Sequence, residues 1–309
     1  ETIDGSFNVV TQSRVVQPGS SFKPFVYAAA FEKGYTPETV LYDVKTDFDL
    51  RDGKKYTPKN YDNKEHGLLT MRSALQNSLN IPAVKTMYLV GYDQTIEFAK
   101  RFGYTVFTGD CQLSLVLGGC GINMLEHVNG YATLANNGVY HAPVAILKIT
   151  NDRGETVNEW QSTSGTMAIA PELAAMVTNV LSDDVARALV FGRGSNLTLP
   201  GRPVAAKTGT TQESKDAWTL GYVPSLAAGV WVGNTPIPKP MKGGGNKLAG
   251  IIWNQFMRAV LASSTPEQFP TTTLYTVEKP VLRGAVGGIQ LPINKLNGKI
   301  ATSSTPDTI

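Results

Sequence analysis

Apolar residues recur at helical spacing through the first half of the chain and give way to alternating runs in the second. From Ser20 to Lys33, Phe22, Phe25, Val26, Ala29 and Ala30 share one helical face. Pro24 sits in the first turn and Gly34 follows the end, so the segment predicts a helix. Residues 35–69 show neither period and read as an irregular, polar stretch. Thr70 caps a helix over about Met71–Asn77, and Ile81-Pro82 opens another that ends at Gly91. A short helix over Asp93–Phe102 aligns Ile96, Ala99 and Phe102 and closes at Gly103. Asn123 with Glu126 three positions on is a capping pair. Its helix groups Leu125, Val128, Ala132 and Ala135 and stops at Asn137-Gly138.

Val144–Thr150 and Glu155–Gln161 flank the turn Asn151-Asp152-Arg153-Gly154 as a hairpin. Pro171 begins a helix with Leu173, Met176, Val177, Val180 and Leu181 inward. Then Pro203–Gly209, Asp216–Tyr222 and Ala227–Gly233 form three strand-like runs of an antiparallel meander. A helix over about Ile251–Ala262 follows, with Ile252, Phe256, Ala259 and Val260 on one side. After Ser264 the composition turns to Thr, Pro and Gly, which suggests one unit over 1–264 and a β-rich extension or tail over 265–309. Helices first, then strands, then a packing helix indicate an α+β fold with an antiparallel sheet flanked by helices.

Composition narrows the function. With 309 residues, 42% hydrophobic and 17% charged, the chain can bury a core. Twenty-eight Lys+Arg against 25 Asp+Glu give a net charge of +3, spread along the sequence, which argues against nucleic-acid binding. Three dispersed His and two Cys cannot by themselves supply a four-ligand zinc site, and no C-x-x-C or H-E-x-x-H pair occurs. No apolar run approaches the roughly 18 residues of a membrane span. Opening on Glu1 without Met, the chain reads as a fragment of something longer. Cys111 and Cys120 are two small buried hydrophobes if the compartment is reducing, or a disulfide around a short loop if it is oxidising; both stay open.

Three short patterns occur in order: Ser20-Ser21-Phe22-Lys23 (S-x-x-K), Ser78-Leu79-Asn80 (S-x-N) and Lys207-Thr208-Gly209-Thr210 (K-T-G-T). A Ser at a helix start and a Lys three residues on share a face, so the amine reaches the hydroxyl. Burial lowers the pKa of a lysine and lets it act as the base that a serine nucleophile needs. The helix N-terminus adds N–H groups for an oxyanion. Alone, S-x-x-K arises about once by chance in a chain of this size, and Ser6-Phe7-Asn8 also matches S-x-N. K-T-G is rarer, and its Gly209 lets a ligand approach the strand closely.

In combination the motifs resemble those of the serine penicillin-recognising enzymes. The surrounding residues resemble the transpeptidase domain of class A penicillin-binding proteins: Gln17 to Phe25, Asn60-Tyr61-Asp62, Ala74 to Val84, Tyr131 to Gly138, Ala206 to Thr211, Asp216-Ala217-Trp218 and Gly229 to Asn234. That resemblance implies the β-lactamase/D,D-transpeptidase-like fold with an all-α subdomain. Only 19 residues precede Ser20 here, so the family's N-terminal strands are expected to be missing. By the same resemblance Ser20 is the acylated nucleophile, Lys23 its base, Ser78 the proton relay and Asn80 the holder of the substrate amide. Lys207 orients Ser78, and Thr208, Gly209 and Thr210 line the substrate, the two threonines binding its carboxylate. For both threonines a strand hydroxyl facing water is the plainer role. The N–H groups of Ser20 and Thr210 would form the oxyanion hole.

Trp218 reads as a core or cleft-wall residue, and Asn60 and Tyr61 as cleft or loop residues. Nothing in the spacing of His66, His127 and His141 pairs one with a carboxylate. The expected activity is peptidoglycan D,D-transpeptidation on D-Ala-D-Ala stem peptides, without cofactor and blocked by β-lactams, outside the cytoplasmic membrane. A membrane anchor and a glycosyltransferase domain are expected in the full-length chain. The alternatives are a D,D-carboxypeptidase, a β-lactamase (disfavoured because Glu126, the main carboxylate after S-x-N, reads as a helix cap) and a catalytically silent cell-wall-binding scaffold.

Overall fold

In the computed structural model, which describes residues 8–11, 15–109, 111–211, 214–234, 239–271 and 277–285, the meander is a three-stranded antiparallel sheet. Its strands are Ala205–Thr210, Asp216–Val223 and Leu226–Gly233, the second one central. Period-two alternation sends Ala205, Trp218, Leu220 and Tyr222 into the main core and Ala206 and Val223 to the opposite face. The helices are α1 (Lys23–Glu32), α2 (Met71–Gln76), α3 (Asn80–Val90), α4 (Tyr92–Arg101), α5 (Met124–Ala135), α6 (Pro171–Leu181), α7 (Ala188–Phe191) and α8 (Ala249–Val260). On the first face α5 and α6 pack with α1, and α8 covers the second with Trp253 and Met257.

The motif helix is central. A 3₁₀ turn, Gly19–Phe22, leads into α1, whose residues from Lys23 to Phe31 are all buried. A helix apolar on every side is a core helix, and Lys23 is the one cation in it. Phe25 fixes it among Phe102, Tyr104 and Tyr131, with ring centroids 5.4, 5.2 and 5.6 Å away.

Several expectations shift. The stretch 35–69 contains strands Val40–Asp43 and Gly67–Thr70, paired with each other, and Phe48–Asp49 paired with Lys55–Tyr56. Strands of two to four residues are too short to show alternation. Helix α5 buries His127, Gly130, Tyr131 and Leu134 and leaves Leu125 exposed, because the polar tips of His127 and Tyr131 find partners inside. Asn123 caps it by accepting from Leu125 N and Glu126 N, but Glu126 turns away to Thr105, so the reciprocal half of the box does not form. On α8, Ile252, Phe256 and Val260 do share a side, yet it faces outward. Trp253 takes the core position, its indole N–H donating to Ala228 O at 3.0 Å.

The hairpin pairs Lys148–Thr150 with Thr156–Glu159. Cys111 and Cys120 form a disulfide, Cα atoms 5.5 Å apart, that closes a loop containing the 3₁₀ segment Gln112–Leu117. Beyond Ser264, the Phe269 ring packs 5.8 Å from Tyr222, and Thr36 Oγ1 donates to Leu282 O. The rest of the expected β-rich extension, 272–276 and 286–309, lies outside the described residues.

Candidate active site

Ser20 sits in a turn whose shape is set by its neighbours. Gly19 adopts φ +56°, and a Cβ there would lie 2.7 Å from the Thr210 backbone, so only glycine lets this turn touch the K-T-G strand. The Ser21 hydroxyl donates to Pro18 O at 2.6 Å and accepts from His127 Nε2 at 2.8 Å, while Tyr104 OH donates to His127 Nδ1 at 2.7 Å. Burial drives the His127 pKa down to about 3, so the ring is neutral. Its partners are hydroxyls, not a carboxylate, and its place is structural. Gln17 ties the same turn from both sides: its side chain donates to Gly119 O, and its carbonyl accepts from Trp218 Nε1 at 2.9 Å.

One turn along α1, Lys23 Nζ donates to Ser78 O at 2.6 Å, Leu79 O at 3.1 Å and Asn80 Oδ1 at 2.8 Å. Burial, and secondarily the charge of Lys207, hold its pKa well below the usual lysine range. None of its three hydrogen bonds goes to Ser20, although the two residues share a turn at the start of α1.

Ser78 is placed by the end of α2. Ser78 N–H donates to Leu75 O at 3.1 Å and Leu79 N–H to Ala74 O at 3.0 Å, a Schellman closure with Ser78 at the left-handed position, φ +57°. Glycine normally takes that position; a serine there holds its hydroxyl toward the groove at the expense of backbone strain. Lys207 Nζ donates to Ser78 Oγ at 2.8 Å and to Thr208 O at 3.0 Å. Burial and the nearby Arg187 bring the Lys207 pKa down to about 7.

Asn80 opens α3, and the loop before it holds it in place. Asn60 Oδ1 accepts from Asn80 N at 2.8 Å and Ile81 N at 3.2 Å, replacing the cap that Leu79 cannot supply. The buried Asp43 carboxylate orients that amide by accepting from Asn60 Nδ2 at 2.9 and 2.8 Å. Asn80 Nδ2 in turn donates to Lys59 O at 2.9 Å. Asn60 is therefore a supporting residue that spacing does not reveal, because it caps a helix starting twenty positions away.

These side chains meet in one groove of about 1010 Å³, lined by Ser20, Ser78, Asn80, Thr208 and Thr210 and walled by Tyr61, Leu117 and Phe191. Lys23 and Lys207 lie buried beneath, and Trp218 is core rather than groove wall. The disulfide loop forms one side through Ser114 and Gly118-Gly119, and Gly243–Gly245 runs along the K-T-G strand, Gly245 N donating to Thr210 Oγ1 at 3.0 Å. Among the described residues no carboxylate lines the groove and no cluster of ligands could hold a metal ion.

A buried lysine at the foot of a serine turn, a second lysine on a serine hydroxyl and a strand edge of threonines thus converge on one groove. A family model for the penicillin-binding protein transpeptidase domain matches residues 4–258. The chain belongs to that family. It is 34% identical over 258 residues to penicillin-binding protein 1A of Aquifex aeolicus, covering 82% of this chain and 34% of that one. To penicillin-binding protein 1A of Neisseria flavescens it is 30% identical, with coverage of 84% and 33%. The chain thus spans about a third of the length of these curated relatives. Among solved structures, PonA1 of Mycobacterium tuberculosis in complex with penicillin V is similar with TM-score 0.75 and 27% identity, covering 87% of this chain and 75% of that one. Penicillin-binding protein 1A of Haemophilus influenzae shares the fold, with TM-score 0.75, 24% identity and coverage of 98% and 48%.

Proposed function

We propose that this chain is the D,D-transpeptidase unit of a class A penicillin-binding protein, acting outside the cytoplasmic membrane on peptidoglycan stem peptides. Ser20 Oγ attacks the penultimate D-Ala carbonyl as its proton passes to neutral Lys23. The developing oxyanion is held by the N–H groups of Ser20 and Thr210. The C–N bond breaks as Ser78 gives its proton to the departing D-Ala amine and takes in its place the proton that Lys23 received from Ser20; Lys207 holds the Ser78 hydroxyl for that relay. An acceptor amine on a neighbouring strand then displaces Ser20 from the ester, returning the proton to it. Asn80 holds the donor amide and Thr208 and Thr210 its terminal carboxylate. A β-lactam would enter the same ester.

The observation that carries this reading is the pair of buried, pKa-lowered lysines converging on Ser78 from two motifs, in a groove that no carboxylate lines among the described residues. Rapid hydrolysis of the ester needs a base for water, and Glu126 is bound to Thr105, outside the groove. That favours transfer to an amine over a β-lactamase. Intact-mass measurement after benzylpenicillin should show one covalent adduct in the wild type and none in Ser20→Ala. An unmodified wild type, shown folded by circular dichroism, defeats the proposal. With donor peptide and an amine acceptor, cross-linked product is expected; D-Ala release alone would make the unit a carboxypeptidase.

A further inference from the structure

The groove has a charge pattern that the acylation chemistry does not use. The whole chain carries acids and bases in near-equal number, 25 against 28, yet among the described residues the groove's only charged lining residues are Lys59 and Lys247. Lys59 lies on the S-x-N side, where its carbonyl receives Asn80 Nδ2. Lys247 follows Gly243–Gly245 on the K-T-G side. Neither ammonium has an ion pair or hydrogen bond among the described residues, although both are exposed.

Among the described residues, three carboxylates close by in sequence are turned to other partners. Asp62 faces His66 Nε2 at 3.2 Å, Asp216 accepts from Thr211 Oγ1 and Trp231 Nε1, and Asp184 accepts from Thr198 Oγ1 at 3.0 Å. The segment 239–247 adds Lys239 and Lys242 without an acid. Two unpaired cations on opposite walls give the groove a positive field that low-dielectric walls focus.

We propose that the groove selects donor peptides keeping free carboxylates upstream of the scissile bond, and that Lys59 and Lys247 are the residues that read them. This rests on the transpeptidase reading above, because it concerns the same groove and the same donor. The terminal D-Ala carboxylate belongs to Thr208 and Thr210; the two wall lysines take acidic groups further back along the peptide. Amidating those groups removes the charge and leaves shape nearly unchanged, so amidated donors bind as poorly as the lost ion pairs dictate.

The test compares two D-Ala-D-Ala pentapeptides, one with its upstream carboxylates free and one with them amidated, both keeping the terminal carboxylate. D-Ala release by the wild type should favour the free-acid peptide about fivefold or more in kcat/KM, and the preference should shrink near 0.5 M salt. Lys59→Gln and Lys247→Gln should each lower that ratio about two- to fivefold, and the double variant should bring it near one. Equal rates for the two peptides, reaction with neither, or a ratio that survives in the double variant overturns the proposal. Benzylpenicillin acylation of the wild type, measured in parallel, separates the failures. Without an adduct the transpeptidase reading falls; with an adduct and no peptide preference only the carboxylate selection falls.

Discussion

Lys207 Nζ and Ser78 Oγ, 129 positions apart in sequence, are 2.8 Å apart across the groove. The contact joins the K-T-G strand to the turn that ends α2, and the same turn supplies Ser78 O to Lys23. Both lysines thus meet at one serine, and the Lys207 charge lowers the Lys23 pKa.

The coupling predicts a pH effect. The Lys207 charge is one of the two causes that lower the Lys23 pKa. In Lys207→Gln that repulsion is gone, Lys23 keeps its proton to higher pH, and the acid limb of the acylation profile moves upward in pH. Stopped-flow acylation by a chromogenic cephalosporin from pH 5 to 9 measures it. A slower reaction with an unmoved limb would show that Lys23 is not the titrating base.

The left-handed conformation of Ser78, φ +57°, predicts a split between two substitutions. Both Ser78→Gly and Ser78→Ala remove the hydroxyl and should slow acylation alike. Glycine relieves the backbone strain that alanine keeps, so Ser78→Gly should be more stable by roughly 1 kcal/mol in urea unfolding. Equal midpoints would mean the turn relaxes.

The motifs that meet in the groove were legible because each is local: Ser20 and Lys23 share a turn, and Thr208 and Thr210 alternate on one strand edge. The meander was legible too, since Trp218, Leu220 and Tyr222 keep a strict period of two. What escaped the sequence depends on partners far along the chain. Asn60 caps α3 from a loop, and its orientation comes from Asp43. His127 looks like an isolated histidine until Ser21 and Tyr104 close on it. On α8, counting apolar residues pointed to Ile252, Phe256 and Val260, but shape put Trp253 inside. Hydrophobicity names a face only when the competing faces differ in more than number.

Gly118 gives a steric prediction. It adopts φ +71°, and a Cβ there would sit 2.1 Å from Gly19 N, in the turn that presents Ser20. Gly118→Ala adds an αL penalty of roughly 1–2 kcal/mol and pushes the nucleophile off line. Acylation by benzylpenicillin should fall at least about tenfold while circular dichroism shows a folded chain. An unchanged rate would show that the disulfide loop does not brace the nucleophile.

The lowered Lys207 pKa also makes a prediction about stability. With the folded pKa at about 7 and the ordinary lysine value of 10.5 in the unfolded chain, the unfolded state binds more protons between those limits. Stability should therefore rise with pH across that window. The burial penalty is full below about pH 7, where it amounts to roughly 5 kcal/mol, and fades toward pH 10.5. Lys207→Met removes the buried charge, so the variant should unfold at higher urea than the wild type at pH 6, with the gain shrinking as pH rises, while acylation is lost. A buried cation in the groove floor thus holds the domain below its attainable stability. Urea midpoints for both proteins at pH 6 and 9 decide the matter: a wild type at least as stable as the Met variant at pH 6 would show that Lys207 is not a strained cation.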